Sequence, residues 1–292
     1  AYRFRAITPP SVPYDDPTQG EDPEYGASIN YWLKAPAQSA PTVTILDASG
    51  TAVRTLEGTN RAGVNRIHWD LEDEPTTQLR LLTSPLHAEH IRVPDDGRSA
   101  PGAGRISILM PPGQYTVKLT VDGVEHTRPL TVLRDPHSAG SEADIAEQVA
   151  LLRSLKTDLE RGVAAVARIE KVRAQLASLV RFSDDADVKA AAGALADKLV
   201  AQEMELLDLR LTGEGQDGVR FEARLLQKIG YLANGLDGAD FRPTDQQVEV
   251  RGILAAQLDV RLRAVDALLS SDLVGLNTML RARGVTIVAE GG

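Results

Sequence analysis

The 292-residue sequence predicts an α+β protein whose β and α parts form separate domains, a β-sandwich followed by an antiparallel helical bundle. Three observations predict this fold. Short runs of alternating apolar and polar residues, separated by turn signals, fill the first half, as half-buried strands require. Apolar residues recur at intervals of three and four through the second half, as amphipathic helices require. The aromatic residues, 4% of the chain, are concentrated before residue 35, which distinguishes the two halves.

Shifts in composition divide the chain into three parts. Residues 1–26 are rich in Pro, Asp and Gly, which predicts an extended lead-in because Pro fixes φ and removes a donor. Residues 27–136 carry the alternating runs and are assigned to a β-sandwich domain. The pattern changes at Asp135-Pro136. Residues 141–286 carry the helical periodicity and are assigned to a helical bundle domain.

The best-defined strand is predicted over residues 63–71, where Ile67, Trp69 and Leu71 share one face. Asp122-Gly123 lies between two alternating runs and predicts a type I′ hairpin turn, in which both central residues have positive φ. Roughly seven strands over about 110 residues suit an immunoglobulin-like or fibronectin type III-like sandwich. The other predicted strands cover residues 27–33, 42–46, 51–56, 106–110, 115–121 and 124–133. Residues 72–105 are expected to be mostly loop.

Four amphipathic helices are predicted in the second half. Ser141 begins the first with a capping box, Ser183 caps the second, and Asn234-Gly235 ends the third. Thr244 and Gln247 have the spacing of a second capping box at the start of the fourth helix. The apolar stripes are broader than a coiled-coil seam, which favours packing within an antiparallel bundle. The predicted helices cover about residues 141–180, 184–211, 218–234 and 243 onward.

Composition and charge exclude several classes of function. Apolar residues at 42% and charged residues at 25% are typical of a globular protein. A formal net charge of −9 argues against nucleic-acid and anionic-membrane partners, because binding to phosphates depends on clustered Lys and Arg. No apolar run approaches the roughly 20 residues of a membrane-spanning helix. The absence of Cys excludes disulfides, thiolate metal sites and Cys nucleophiles.

Two clusters have the residue types of a metal site without the required spacing. His87, Glu89 and His90, followed by two aspartates, lie in a predicted loop and lack the His-Glu-x-x-His order that places two His on one helical face. A solvated loop is the favoured interpretation. Residues 184–187 contain three aspartates but lack the order of an EF-hand loop. Carboxylates there suit the first turn of a helix, so no metal site is assigned.

No catalytic constellation is visible in the sequence. Residues 72–74, Glu-Asp-Glu, are adjacent on a strand exit, whereas paired glycosidase carboxylates must face one cleft. The serines form no Gly-x-Ser-x-Gly elbow. Residues 213–218 are rich in Gly but lack the Lys and the preceding strand of a phosphate-binding loop. We therefore assign no catalytic residue, no cofactor and no enzyme activity.

Several stretches of the sequence form a recognisable combination. They are DPEYGASINYWLK at 22–34, ILDASG at 45–50, VRTL at 53–56, GVNRIHWDL at 63–71, PGQYTV at 112–117, LTV at 130–132 with Asp135-Pro136, and RAQL at 173–176. Together they resemble the C-terminal accessory region of bacterial sortilin-like proteins whose β-propellers carry sialidase-type BNR repeats, and the resemblance covers most of residues 2–180. It implies an accessory Ig-like or fibronectin-like sandwich followed by helices, in an exported protein with a β-propeller upstream. No propeller is present in this sequence, so no propeller activity is transferred to it.

One group of aromatic residues is a candidate interaction site. Trp32 lies opposite the face that Tyr31 shares with its apolar neighbours, so both faces of this predicted strand carry a large aromatic side chain. Tyr2, Phe4 and Trp32 are predicted to form an interaction patch, which we call the aromatic patch. Its expected partner is either an adjacent propeller or the protein's own helices.

The sequence thus favours a non-catalytic accessory or protein-interaction module of a secreted, periplasmic or extracellular protein. The alternative is a carbohydrate-binding module or a fragment of a glycoside-processing enzyme, for which exposed aromatics and convergent carboxylates are expected. Self-assembly through the helices is a third possibility. The sequence starts at Ala1 without a charged-then-apolar leader, so a mature product or a segment of a longer protein is expected.

Overall fold

The computed structural model of the chain describes residues 1–4 and 24–290. It is an α+β fold with a mixed β-sheet and several helices, as the sequence predicts at that level. Two compact units are present, and neither is continuous in sequence. Unit 1 comprises Ala1–Pro75, Ser107–Arg153 and Leu236–Pro243, and unit 2 comprises Thr76–Ile106, Ser154–Gly235 and Thr244–Gly292. Most of the predicted lead-in, residues 1–26, falls on residues 5–23 and lies outside the described residues.

Unit 1 contains a five-stranded sheet in the order β1-β9-β8-β3-β4 and a two-stranded sheet of β2 and β5. The five-stranded sheet is mixed because β1 pairs in parallel with β9, while its other neighbours are antiparallel. A pair of two-residue strands, β6 and β7, belongs to unit 2. The strands are β1 (Tyr2–Arg3), β2 (Ala27–Leu33), β3 (Thr42–Leu46), β4 (Ala52–Glu57), β5 (Gly63–Trp69), β6 (Arg80–Leu81), β7 (Arg98–Ser99), β8 (Gly113–Val121) and β9 (Val124–Arg134).

Apolar side chains from both sheets of unit 1 share one core. Trp69, at the end of β5, is fully buried, and its ring meets that of Tyr115 on β8 edge to face, with the centroids 5.4 Å apart. The Trp69 indole Nε1–H donates to the carbonyl oxygen of Glu72 at 2.8 Å, so its polar atom is satisfied inside the core. The other buried members are Ala27, Val43, Ile45, Leu71, Leu109, Met110, Val117 and Val132.

The locally encoded strands and turns agree with the sequence prediction. The bounds of β2 and β3 are those predicted, and Ile67 and Trp69 of β5 point inward while Arg66 is exposed. Asp122 has φ 46° and Gly123 has φ 82°, as a type I′ turn between β8 and β9 requires. Strand β5 ends at Trp69, two residues earlier than predicted, because Leu71 takes a left-handed backbone with φ 64°.

The predicted strand over residues 106–110 is wrong. This segment is buried, but only Leu109 makes a strand-like bridge, to Glu72. Its hydrogen bonds go instead to an irregular stretch after β5, partly through a side chain. The backbone N–H of Ile108 donates to the Asp73 carboxylate at 2.8 Å, and the Asp73 N–H donates back to the Ile108 carbonyl at 3.0 Å. The Asp73 carboxylate thus takes the place of a backbone carbonyl as the acceptor for Ile108, so the segment does not form a regular strand. The alternation of apolar and polar residues in the sequence does not reveal such a side-chain hydrogen bond.

The helices are α1 (Glu142–Phe182), α2 (Ala186–Leu206), α3 (Asp217–Arg220), α4 (Leu225–Asp237), α5 (Asp245–Ala267) and α6 (Leu273–Ala282), with a π-helical turn at Leu268–Asp272 joining the last two. The chain passes from unit 1 to unit 2 within α1, after Arg153. In unit 2, apolar side chains of α1, α2, α5 and α6 share one core. That core contains Ile169, Val172, Leu176, Val188, Leu195, Leu199, Val265, Leu269, Leu273, Leu276 and Leu280.

The ends of the helices confirm some of the capping predictions and contradict others. Thr244 caps α5 with the predicted capping box, in which its hydroxyl accepts from the Gln247 N–H at 3.2 Å. The prediction that Ser183 caps the second helix is wrong, because Asp185 accepts from the first N–H groups of α2. The third predicted helix is broken into α3 and α4, and α4 continues past Asn234-Gly235 to Asp237. The π-helical turn was not predicted.

Unit 1 also contains a buried polar cluster that links segments distant in sequence. Arg3 is fully buried, forms an ion pair with Asp240, and donates from Nε to the Met110 carbonyl at 3.1 Å. Gln148 on α1 lies beside this guanidinium, with its Oε1 3.5 Å from Nη2, and donates from Nε2 to the Leu236 carbonyl at 2.7 Å. The cluster therefore joins β1, α1 and the segment after α4.

No helix within the described ranges is both long and apolar enough to cross a membrane.

Candidate functional site

A cleft of about 440 Å³ runs between β2 and β9 in unit 1, and we call it the β2–β9 cleft. Its floor is formed by two apolar side chains of β8, Val117 and Leu119. Its first wall is Ser28, Ile29, Asn30, Tyr31 and Trp32 of β2, and its second wall is His126, Arg128, Pro129 and Leu130 of β9. It brings together the aromatic end of β2 and the exposed part of β9.

The cleft runs between the edge of β2 and one face of the β8–β9 pair, where Arg128 and His126 lie opposite Val117 and Leu119. Successive side chains of a strand point to opposite faces, so a cleft lined by five consecutive residues of β2 runs along the edge of that strand. The other edge of β2 pairs with β5 over its whole length. Strand β9 pairs with β8 along one edge, and within the described residues its second edge pairs only with β1, at Leu133 and Arg134. Before Thr131, this second edge of β9 has no strand partner among the described residues.

Trp32 is the most exposed aromatic side chain of the cleft, with 65% of its surface accessible. It alternates with Tyr31, whose ring is buried and whose hydroxyl donates to the Thr59 carbonyl at 2.6 Å. The hydrogen bond holds Tyr31 against the core, so the regular pleat of β2 turns Trp32 outward. An indole ring held in this way costs little conformational entropy when a partner covers it.

The charged lining of the cleft is cationic. Arg128 is the fully charged lining residue, and its Nη1 donates to the Thr127 carbonyl at 2.9 Å, which leaves further donors of the guanidinium for a partner. His126 is the other basic lining residue, and the side chains of Arg128 and His126 are both exposed. No carboxylate belongs to this lining. The Asn30 side chain is hydrogen-bonded to β5, because its Oδ1 accepts from Arg66 Nε at 2.9 Å.

The structure places the three residues of the aromatic patch in different surroundings. Tyr2 is exposed and pairs with Leu133 of β9, while the Phe4 ring packs edge to face on Tyr25, with centroids 4.6 Å apart. Trp32 lies five residues beyond the start of β2, roughly 17 Å along the strand at its usual rise. Trp32 is in the cleft lining and Tyr2 and Phe4 are not.

The other sequence candidates have local structural roles. His87, Glu89 and His90 are exposed around a turn, and among residues 1–4 and 24–290 no group of three or more His, Asp or Glu could hold a metal ion. Asp185 caps α2 and pairs with Arg283 at 2.8 Å. Glu72 accepts from Ser107, so the strand-exit carboxylates are used to hold the segment after β5.

Unit 2 contains a buried charged cluster that sequence reasoning missed. Arg173 donates to Glu170 at 2.6 Å and to Glu203 at 2.7 Å, and both carboxylates are fully buried. Glu170 also accepts from Thr83, through the hydroxyl at 2.8 Å and the backbone N–H at 2.9 Å. Arg98 lies nearby and donates from Nε to the Thr83 carbonyl at 2.9 Å. The cluster ties α1 and α2 to β7 and to the loop between β6 and β7.

The two carboxylates of this cluster differ in their hydrogen bonding. Glu170 has acceptor bonds on both oxygens, whereas Glu203 Oε1 is buried and has no hydrogen-bond partner in the described part of the chain. Burial, followed by the repulsion of Glu170, raises the pKa of Glu203 well above the usual range, against the opposing effect of Arg173. Burial also lowers the pKa of Arg98.

No family model matches the sequence, and neither a curated protein nor a solved structure matches it. Sequence reasoning identified Trp32 as the outward aromatic residue of its strand but did not find the cleft. The sequence does show that the two flanking strands, β2 and β9, are rich in polar residues, and many of these are exposed in the structure. It does not show that the two strands lie close together, because their proximity depends on the long-range strand pairing of unit 1.

Proposed function

We propose that this chain is a non-catalytic protein-interaction module that binds a short extended segment of a partner protein in the β2–β9 cleft. One observation carries the proposal: the cleft runs along the edge of β2 that pairs with no described strand, and it has the exposed Trp32 ring at its rim. Open strand edges present unpaired N–H and C=O groups, which are the groups that a peptide strand satisfies when it adds to a sheet.

The side chains of the cleft favour particular features of the partner segment. Val117 and Leu119 offer an apolar floor for alternate side chains of an added strand. Arg128 favours a segment with an acidic residue, through a charge-assisted hydrogen bond. Pro129 removes one donor from the edge of β9, which limits unspecific pairing with other strands. Trp32 then serves as the anchor, since aromatic residues dominate binding energy at interfaces.

The biological setting follows from the resemblance described above. The module would support a neighbouring β-propeller of a sortilin-like, BNR-repeat type in an exported bacterial protein, located in the periplasm or outside the cell. In this proposal unit 1 is an immunoglobulin- or fibronectin type III-like sandwich and the helices form an antiparallel bundle. Shared burial of side chains from both sheets supports the first assignment, and the shared core of four helices supports the second.

The test is selection of extended peptides from a random library on the purified chain, followed by measurement of their dissociation constants. Trp32→Ala should weaken binding by about tenfold or more, as for truncation of an anchoring aromatic residue. Phe182→Ala is the matched control, because Phe182 is an aromatic residue of α1 with 69% exposure and does not line the cleft. Methylation of the peptide amides should abolish binding, since it removes the donors for a strand edge. Insensitivity to amide methylation would contradict the strand-addition mode.

The second candidate is a carbohydrate-binding module or a fragment of a glycoside-processing enzyme. An exposed indole ring beside polar side chains also suits a sugar ring, and Trp32, Asn30 and His126 provide that combination. Affinity electrophoresis on soluble polysaccharides distinguishes the candidates. If a polysaccharide retards the chain, Trp32→Ala abolishes that retardation and the library yields no binding peptide, the second candidate replaces the first.

A further inference from the structure

A second concavity, of about 580 Å³, lies between α4 and α5 in unit 2, and we call it the α4–α5 groove. Its size falls in the range of small-molecule sites. Its lining is formed by Ala223, Gln227, Lys228, Tyr231, Leu232, Gly235, Gln247, Val250 and Leu254. The groove is distinct from the β2–β9 cleft, which belongs to unit 1.

Apolar side chains form most of the groove, and two of them are exposed. The inward apolar face of α4 packs in the core, where Leu226 and Ile229 are fully buried. Tyr231 lies on the other side of that helix, with 81% of its surface accessible, and Val250 of α5 is 42% accessible. An aromatic and a β-branched side chain facing one trough leave apolar surface that a ligand can cover.

The charge of the groove comes from a single residue. Lys228 is the only charged side chain in its lining, and it makes no ion pair with any described residue. Lys228 and Ala223 also line a smaller adjoining cleft of about 310 Å³. In that cleft Arg261 pairs with Glu205 at 2.8 Å and Arg224 approaches Asp208 at 3.5 Å, while Glu222 lines the smaller cleft but not the groove. Lys228 is thus an available cation at the junction.

We infer that the α4–α5 groove binds a free single-chain amphiphile with an anionic head group. The hydrocarbon chain lies in the trough between Tyr231, Val250 and Leu254, where burial of its CH₂ groups removes apolar surface from water. The head group lies at Lys228, whose ammonium provides the complementary charge. A cationic head group would meet Lys228 with the wrong sign, so the sign of the head group determines the preference.

The test compares two probes that share one chain and differ in the charge of the head group. Laurate and dodecyltrimethylammonium are titrated into the full chain by calorimetry, each below its micelle concentration. Laurate should bind and dodecyltrimethylammonium should not. Lys228→Gln should weaken laurate about fivefold, the value of one exposed ion pair. Lys189→Gln, which changes an exposed lysine of α2 outside the groove, should leave the affinity unchanged.

A blocking variant tests the location of the chain. Nothing lies within 4 Å of a Cβ added to Gly235, which lines the groove, so Gly235→Leu should fill the trough without a clash and weaken laurate tenfold or more, since it displaces the bound chain. Equal binding of the two probes, or unchanged laurate affinity in Gly235→Leu, would overturn the inference. So would a result in which anionic phospholipid vesicles bind the chain but monomeric laurate does not, because the surface would then recognise a membrane.

Discussion

At the scale of the residue, the most distinctive feature of this protein is its buried charged side chains. Arg3 is fully buried in unit 1, where it contacts Asp240 and the Met110 carbonyl, and Glu203 is fully buried in unit 2 beside Arg173. A buried ion pair contributes little compared with an apolar pair of the same shape, but removal of one partner leaves an uncompensated charge. Both positions should therefore respond to substitution far more strongly than surface charges do.

Arg3→Ala should lower the free energy of unfolding by about 3–5 kcal/mol, because the buried ion pair with Asp240 and the hydrogen bond to the Met110 carbonyl are both lost. Chemical denaturation followed by tryptophan fluorescence measures the change. Arg92→Ala, at an exposed position, is the control and should change the unfolding free energy by less than about 0.5 kcal/mol. A loss at Arg3 no larger than at Arg92 would show that the cluster is dispensable.

Glu203→Gln should flatten the pH dependence of stability. The raised pKa of Glu203 means that the folded chain keeps a proton at pH values where the unfolded chain, with a glutamate pKa of about 4.3, has released it. The wild-type unfolding free energy should therefore fall, relative to the amide variant, by up to about 1.4 kcal/mol per pH unit as pH rises from the unfolded to the folded pKa. The amide imitates the protonated acid and does not titrate.

The groups facing Glu203 are Glu170 and Arg173 of α1, with Arg98 of β7 nearby, and none of them is altered in this experiment. Glu249→Gln, at an exposed position of α5, is the control. Denaturation curves at a series of pH values give the comparison. Parallel pH profiles for wild type and Glu203→Gln would mean that Glu203 ionises in the folded chain as an ordinary glutamate does.

At the scale of the element, the pairing of β2 with β5 depends on a glycine. Gly26 precedes β2 with φ +115°, and a Cβ placed there would lie 2.0 Å from the Trp69 carbonyl oxygen. The end of β5 can approach the start of β2 this closely only because Gly26 has no side chain. The register of the pair, in which Ala27 is opposite Trp69, begins at this contact.

Gly26→Ala should destabilise the chain by more than about 3 kcal/mol, because backbone strain and a clash with the Trp69 carbonyl act together. Gly50→Ala is the matched control: it has φ +84° in the turn before β4, but nothing lies within 4 Å of the added Cβ. That variant should be destabilised only by backbone strain, by about 1–2 kcal/mol. Equal losses in the two variants, measured by denaturation, would exclude the close approach as the cause.

Elements encoded by neighbouring residues could be predicted from the sequence, and those encoded by distant residues could not. The capping box of Thr244 and the turn at Asp122-Gly123 need only three or four residues, and both are present as predicted. The segment at 106–110 alternates like a strand but pairs with the Asp73 carboxylate, a contact 35 residues away. The β2–β9 cleft and the partner of Arg3 depend on the same kind of long-range pairing.

At the scale of the whole molecule, the two compact units interleave along the chain. Unit 1 requires the first twelve residues of α1 and the segment Leu236–Pro243 in addition to its strands. Gln148 and Asp240, which satisfy Arg3, lie in these two additions. The sequence-based boundaries, a sandwich at 27–136 and a bundle at 141–286, stay predictions, and expression of fragments tests them directly.

A fragment of residues 1–140 should not fold cooperatively, because it retains Arg3 but lacks both Gln148 and Asp240. Near-ultraviolet circular dichroism should show no fixed environment for Trp69, whereas the full chain shows one. Co-expression with residues 141–290 is the control and should restore the signal. Cooperative unfolding of the isolated fragment would instead support a boundary between residues 136 and 141.

The ion pair between Arg3 and Asp240 joins residues 237 positions apart in the sequence. On a ribosome that adds about 5–20 residues per second, Asp240 is synthesised roughly 10–50 s after Arg3. During that interval the Arg3 guanidinium lacks Asp240, its ion-pair partner in the folded chain, although β9, the strand that pairs with β1, is already synthesised. The N-terminal strand of this protein is thus among the first segments to be synthesised and among the last to reach its final environment.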